Sequence, residues 1–225
     1  MTMRLVASCL ALVFTCSQAF AKEMPTDFQA VVDRAHAQFK DVNDGANADY
    51  IPILATVPSE MFGVVIVTRE GEIFSAGEID YEFSIQSVSK PFTASLVMDQ
   101  QGPAAVREKI GVEPTGLPFN SKMALELYAA RSVNPLVNAG AIAAVSLVEA
   151  DSEEDRWNQI HANLNAYAGR ELPVLEEVYT SEYEDSWSNR GIANLLYNYG
   201  RLYSDPEETL RVYTRQCSKK LSIEV

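Results

Sequence analysis

The sequence is short of the residues on which many catalytic centres are built. It holds two histidines, His36 and His161, and three cysteines among 225 residues. A serine–histidine–acid triad would have to recruit one of those histidines, and both fall in predicted polar helices where they read as surface residues. H-E-x-x-H and C-x-x-C spacings are absent, as is a glycine-rich phosphate loop, so zinc and nucleotide-phosphate chemistry lack their usual signatures. Cys9 and Cys16 lie in the first 21 residues, and Cys217 alone follows them, which excludes an intramolecular disulfide in residues 22–225. Positive charge is scarce: 18 Lys and Arg stand against 31 Asp and Glu, a formal net charge of −13. With no basic stripe, nucleic acid is excluded as an expected partner, and the acidity bears on solubility instead. Beyond residue 21 no apolar run approaches the ~20 residues that a bilayer span requires.

What is present begins with a targeting pattern. Arg4 supplies a positive start, "LVASCLALVF" an apolar stretch, and "AFA" the small-x-small motif of a signal-peptidase site. A signal peptide over 1–21 is expected, cut after Ala21, with residues 22–225 exported to a periplasm or the exterior as a soluble chain. An uncleaved anchor is the alternative, for which the run is short. "VASC" has too little apolar sequence before it for lipidation at Cys9.

The full sequence is 47% hydrophobic, enough for a substantial core. Thr26 and Gln29 have capping-box spacing and predict a helix over 26–39. "FGVVIVTREGEIFSAG" reads as a hairpin turning at "REGE", followed by extended chain to about Ile85. A helix is expected from about Ser87 to Gly102, then a short one over "PAAVREKI" and a loop over "GVEPTGLPFNSK". "VNAGAIAAVSLVEA" is apolar on most faces and suits a buried helix. Three helices complete the pattern: "SEEDRWNQIHANLNAYAG", "SEYEDSWSNRGIANLLYNYG" as one helix ending at Gly200, and "DPEETLRVYTRQC" with Pro206 in its first turn. A helix, a small antiparallel sheet and then many helices define an α+β class.

"FSIQSVSKPF" carries the candidate chemistry. Ser87 and Lys90 are three apart and share a face if a helix begins there. A serine hydroxyl needs a base to become a nucleophile. A lysine can serve only when neutral, and burial among Phe83, Ile85, Val88 and Phe92 would lower its pKa. The opening turn of a helix also leaves backbone N–H groups free to hold an oxyanion. Ser84 and Ser89 have no lysine at that offset. S-x-x-K by itself is a common spacing and equally fits a surface serine beside a solvated lysine.

The wider text is more specific. "DYIPILA", "FSIQSVSKPF", "GVEPTGLPFNS", "NPLVNAGAIAAVSLV", "SE.....NR.IA" and "YTRQCS" occur in that order. Together they resemble the serine-dependent glutaminases from about Asp27 to Ser218. The resemblance implies a β-lactamase or penicillin-binding-protein-like domain, an antiparallel sheet flanked by helices plus a helical subdomain. It implies hydrolysis of L-glutamine to L-glutamate and ammonia through a serine acyl-enzyme, with no cofactor or metal and with a tendency to homo-oligomers. Carried to this sequence, Ser87 is the implied nucleophile and Lys90 its activating partner. Asn138, Glu182, Asn189, Tyr213 and Tyr50 are the implied substrate contacts. An acid suits the ammonium of a free amino acid, and amides and phenols suit its carboxylate and carbonyl. Glu182 and Asn189, seven apart, would face one cleft from a single helix. Each residue also fits a plainer role: Glu182 a first-turn acid, Asn138 a helix cap, Asn189 a solvated polar residue, Tyr213 amphipathic core.

The resemblance further implies a longer domain, since family members continue for roughly another third of it. That part brings a proton-shuttling tyrosine, a second oxyanion donor and the sheet's closing strands. "QCSKKLSIEV" reads as carrying an insertion, so a C-terminally truncated domain over 22–225, impaired or unstable, is expected. Two alternatives stay open. A penicillin-binding or β-lactamase-like acyl enzyme is suggested by "SVNP" after the S-x-x-K, although no K-[ST]-G follows. The other is a catalytically dead protein that keeps a glutamine or glutamate pocket.

Overall fold

The computed structural model describes residues 27–129 and 132–223, so the expected signal peptide lies outside the described residues. Helix α1 (Phe28–Phe39) is capped by Asp27, whose side chain accepts from the Ala30 backbone at 2.9 Å. The expected Thr26 cap gives way to Asp27, a stronger capping residue one position on. The side chain of Gln29 donates to Asp33 and to the Ser75 carbonyl. Through Gln29 the helix rests on the hairpin of β1 (Gly63–Val67) and β2 (Ile73–Gly77), paired from Gly63↔Gly77 to Val67↔Ile73. The turn falls at "REGE" as expected, with Gly71 at φ 87°.

β3 (Phe83–Ser84) pairs antiparallel with β4 (Lys220–Leu221), and Ile85 N–H donates to the Lys219 carbonyl at 2.9 Å. The "KKL" that reads as an insertion is therefore the segment that pins the approach to Ser87. Among the described residues the strands form two separate two-stranded ladders. Lys219 is fully buried, its ammonium 5.5 Å above the Trp157 ring and 3.4 Å from Nδ1 of His161. Desolvation, with Arg215 nearby, pushes its pKa down to about 8.

The helices build the core: α2 (Lys90–Gln101), α3 (Pro103–Lys109), α4 (Met123–Leu127), α5 (Asn138–Leu147), α6 (Glu153–Ala168), α7 (Glu176–Glu184), α8 (Trp187–Asn198) and α9 (Pro206–Cys217). Helix α5 is buried at all ten positions and packs against α2, α8 and α9. Its "NAGAIAA" run of small side chains allows that close approach. Gly140 is the tightest point: a Cβ there would run into the carbonyl of Asn134. Gly140→Ala is expected to destabilise the chain by ~3 kcal/mol, because the obstacle is backbone and cannot rotate away. Urea unfolding of the variant checks this.

Local chemistry sets the helix ends. Ser152 caps α6 by accepting from Asp155 N–H, and three acids fill its first turn. Asp205 caps α9 ahead of Pro206 by accepting from Glu207 and Glu208. The segment expected as one helix is two, α7 and α8. Ser186 turns its hydroxyl back to the Tyr183 carbonyl at 2.7 Å, which competes with the helical ladder and breaks it there. The histidines are half-buried packing residues, which corrects the surface reading. His36 stacks on Phe62 at 5.6 Å, and His161 meets Trp157 edge-on at 5.2 Å.

Candidate active site

The chain between β3 and α2 makes an unusual turn. Gln86 sits at φ 48°, a left-handed backbone that a residue with a Cβ adopts at a cost of roughly 1–2 kcal/mol. A 3₁₀ turn over Gln86–Ser89 follows, and the α-helix begins only at Lys90. The expected helical start at Ser87 is thus replaced by a tighter turn. In a 3₁₀ turn residues i and i+3 are eclipsed, so Ser87 and Lys90 still lie one above the other. Ser87 is exposed and faces a cavity, while Lys90 is 2% exposed.

That cavity has a volume of about 340 Å³. Its wall includes Tyr50, Ser87, Asn138, Glu182, Asn189 and Tyr213, which brings the implied nucleophile together with all five implied substrate contacts. They arrive from separate places: Tyr50 from the loop before the 3₁₀ turn Pro52–Thr56, Asn138 from the start of α5, Glu182 from α7, Asn189 from α8 and Tyr213 from α9. Glu182 and Asn189 face one cleft from two helices, not from one, because of the break at Ser186.

A hydrogen-bonded chain lies at the floor. Lys90 Nζ donates to Asn138 Oδ1 at 2.7 Å, Tyr213 OH donates to the same oxygen at 3.4 Å, and Asn138 Nδ2 donates to Asn189 Oδ1 at 3.0 Å. Asn138 heads α5, but its side chain makes no cap; it is committed to this network. No hydrogen bond joins Lys90 to Ser87. The amine lies behind the serine, 5.7 Å over the Phe119 ring, and desolvation pulls its pKa below the ordinary lysine value. Tyr213, 2% exposed, has its phenol pushed well up by burial.

Glu182 is 7% exposed, and its Oε2 has no hydrogen-bond partner. Burial raises its pKa to about 7, against the opposing pull of a hydrogen bond from Gln86 and the charge of Lys90. A buried, under-satisfied carboxylate in a cavity wall suits a cationic group that enters from outside. Tyr50 lies across the mouth at 62% exposure, with its hydroxyl pKa raised by partial burial and by Glu182.

The site also uses residues that sequence reasoning passed over. Gln86 lines the cavity and supports Glu182, Phe119 covers the lysine, and the Cys217 thiol is buried in the wall with its pKa raised by desolvation. Their motifs, "QSVS", "LPFN" and "RQCS", were visible; their convergence was not. Neither histidine lines the cavity. Among the described residues no group of three or more His, Cys, Asp or Glu is placed to hold a metal.

The chain is similar to known proteins in both sequence and fold. The glutaminase family profile matches residues 45–225. A glutaminase of Brucella canis is 50% identical over 190 residues, covering 84% of this chain and 60% of that protein. The structure of the probable glutaminase ybaS superposes with a TM-score of 0.85 at 49% identity, over 87% of this chain and 64% of that one. Mglu in its glutamate form gives a TM-score of 0.81 at 33% identity, over 89% and 46%. The chain thus spans about 60% of the length of the curated relatives it matches. On sequence and on fold together, the chain belongs to the glutaminase family.

Proposed function

We propose that this chain carries the nucleophile and the substrate pocket of an enzyme that hydrolyses L-glutamine to L-glutamate and ammonia through a Ser87 acyl-enzyme. The observation that carries the reading is the convergence of an exposed serine, a buried lysine one turn behind it and a buried carboxylate with one oxygen unpartnered on one cavity. Solved Mglu in its glutamate form supports glutamate as the product class. In this reading Glu182 receives the ammonium of glutamine, and Asn138, Asn189 and Tyr213 fix its carboxylate and carbonyl. The side-chain amide then lies against Ser87. The hydroxyl adds to the amide carbonyl, its proton passes by way of neutral Lys90 to the departing ammonia, and water hydrolyses the γ-glutamyl ester. Because Lys90 bonds to Asn138, the proton transfer requires the amine to turn toward Ser87 or a water to bridge the two. The Ser87 N–H, in the opening turn, would hold the oxyanion in this reading. Ammonia release measured beside a Ser87→Ala variant tests the reading; equal release in both would remove Ser87 from it.

Glu182 adds a pH signature. A carboxylate at about 7 holds the substrate ammonium only when ionised. So kcat/KM for glutamine is expected to rise about tenfold per pH unit below 7 as Glu182 ionises, with the deprotonation of Lys90 shaping the profile above that. Stability runs the other way. The folded carboxyl titrates near 7 and the unfolded one near 4.5, so the native chain holds the proton more tightly between them. Stability therefore falls as pH rises from about 4.5 to 7 and stays low above. Glu182→Gln should raise stability at pH 8 by up to ~3 kcal/mol, leave it little changed at pH 4, and weaken glutamine binding. Urea unfolding at both pH values separates these effects.

We also propose that residues 1–21 direct export and that 22–225 form one catalytic unit in a periplasm or outside the cell. The positive start, apolar run and "AFA" support this reading, and a precursor-to-mature mass change after Ala21 would test it. Among the described residues no helix is long and apolar enough to cross a membrane. Homo-oligomers are proposed by analogy with the family; sedimentation analysis would test them.

A further inference from the structure

We propose that Ser89 is a positioning residue for Ser87. Its hydroxyl clamps the Gln86 carbonyl and holds that residue in the left-handed conformation that aims Ser87 into the cavity. The inference rests on the reading of Ser87 as nucleophile. Four observations carry it. Gln86, at φ 48°, stands directly before Ser87, and such a backbone persists only where its surroundings enforce it. Ser89 Oγ donates to Gln86 O at 2.7 Å. Ser89 is fully buried, so water cannot replace that bond. The Cys217 thiol lies 3.9 Å from Ser89 Oγ and backs it from α9, which ties the clamp to the wall of the cavity.

A serine bonding three residues back is common in helices and often does nothing more. Here the acceptor belongs to the strained residue itself. Gln86 is held from a second side, where its amide donates to Ser84 Oγ at 3.1 Å. β3 in turn is held by β4, so the turn is fixed from strand, side chain and helix together. Removing the Ser89 hydroxyl frees Gln86 to relax to negative φ, which rotates Ser87 away from the amide carbonyl. Glutamine binding, made by other residues, stays as it was.

The test uses the full chain and three variants: Ser89→Ala, Gln86→Gly and the double variant. Ser89→Ala is expected to lower kcat for ammonia release from glutamine about tenfold with KM within about twofold. Glycine adopts positive φ without cost, so in the Gln86→Gly background the Ser89→Ala penalty should shrink to less than about twofold. A purely structural serine would give equal penalties in both backgrounds. A crystal structure of Ser89→Ala should show Gln86 at negative φ. Gln86 still near 50°, or kcat within twofold of the parent, would overturn the proposal. Absence of ammonia release from the parent, or its persistence in Ser87→Ala, would strike the glutaminase reading instead, and the conformation of Gln86 would still decide this one.

Discussion

Ser87→Ala is expected to cut ammonia release from glutamine by at least ~10³-fold, with no measurable change in stability. The two halves have separate causes. An acyl-enzyme route loses its only covalent partner, and removal of a nucleophile in serine hydrolases costs orders of magnitude in turnover. The side chain itself is exposed, and no hydrogen bond ties it to the fold, so its loss stays within about 0.5 kcal/mol of the parent. Steady-state ammonia release and a urea melt on the same preparation check both halves. Glutamine should still raise the melting temperature of the variant, because Glu182, Asn138 and Asn189 remain. A variant that keeps binding but loses turnover separates an enzyme from a binding protein. One that keeps turnover would overturn the role of Ser87.

Lys90→Met should abolish turnover to a similar degree, at least ~10³-fold, and leave stability unchanged or higher. Methionine keeps much of the volume in a site that is almost wholly buried, but cannot take a proton. The stability expectation follows from the sign of the titration. Desolvation lowers the Lys90 pKa, so below that folded pKa the folded state bears the cost of a buried ammonium that the unfolded state does not. That cost is greatest at low pH and is relieved as pH rises through the folded pKa toward the unfolded one. Methionine removes it, against the loss of the 2.7 Å bond to Asn138. Buried ionic groups replaced by apolar ones are often neutral or stabilising. Urea unfolding at pH 6 and pH 9 should show the Lys90→Met advantage larger at pH 6. A fall in stability of several kcal/mol would mean that the lysine is a structural strut first.

Much of this was legible in the primary text because it is local. The hairpin at "REGE" follows from strand residues around a turn glycine. The caps of α6 and α9 follow from Ser152 and Asp205, and the end of α2 from Gly102. The "NAGAIAAVSL" run, apolar on most faces, announced a helix surrounded on every side, and α5 is that helix. The errors are also local, but they turn on competition between nearly equal states. Whether Ser186 continues a helix or bends its hydroxyl back to Tyr183 is a matter of about one hydrogen bond. Whether Asp27 or Thr26 caps α1 is smaller still.

The α+β class, the element order and the three-residue offset of Ser87 and Lys90 were readable along the chain, because periodicity, capping and spacing are local, and the family was readable from the resemblance of its ordered motifs. The tertiary structure alone decided that Tyr50, Asn138, Glu182, Asn189 and Tyr213 share one cavity, that Lys90 donates to Asn138 and not to Ser87, and that Lys220–Leu221 pairs with the strand leading to the serine. Such contacts join residues dozens of positions apart, and burial, which shifts both Lys90 and Glu182, exists only once the helices close around them.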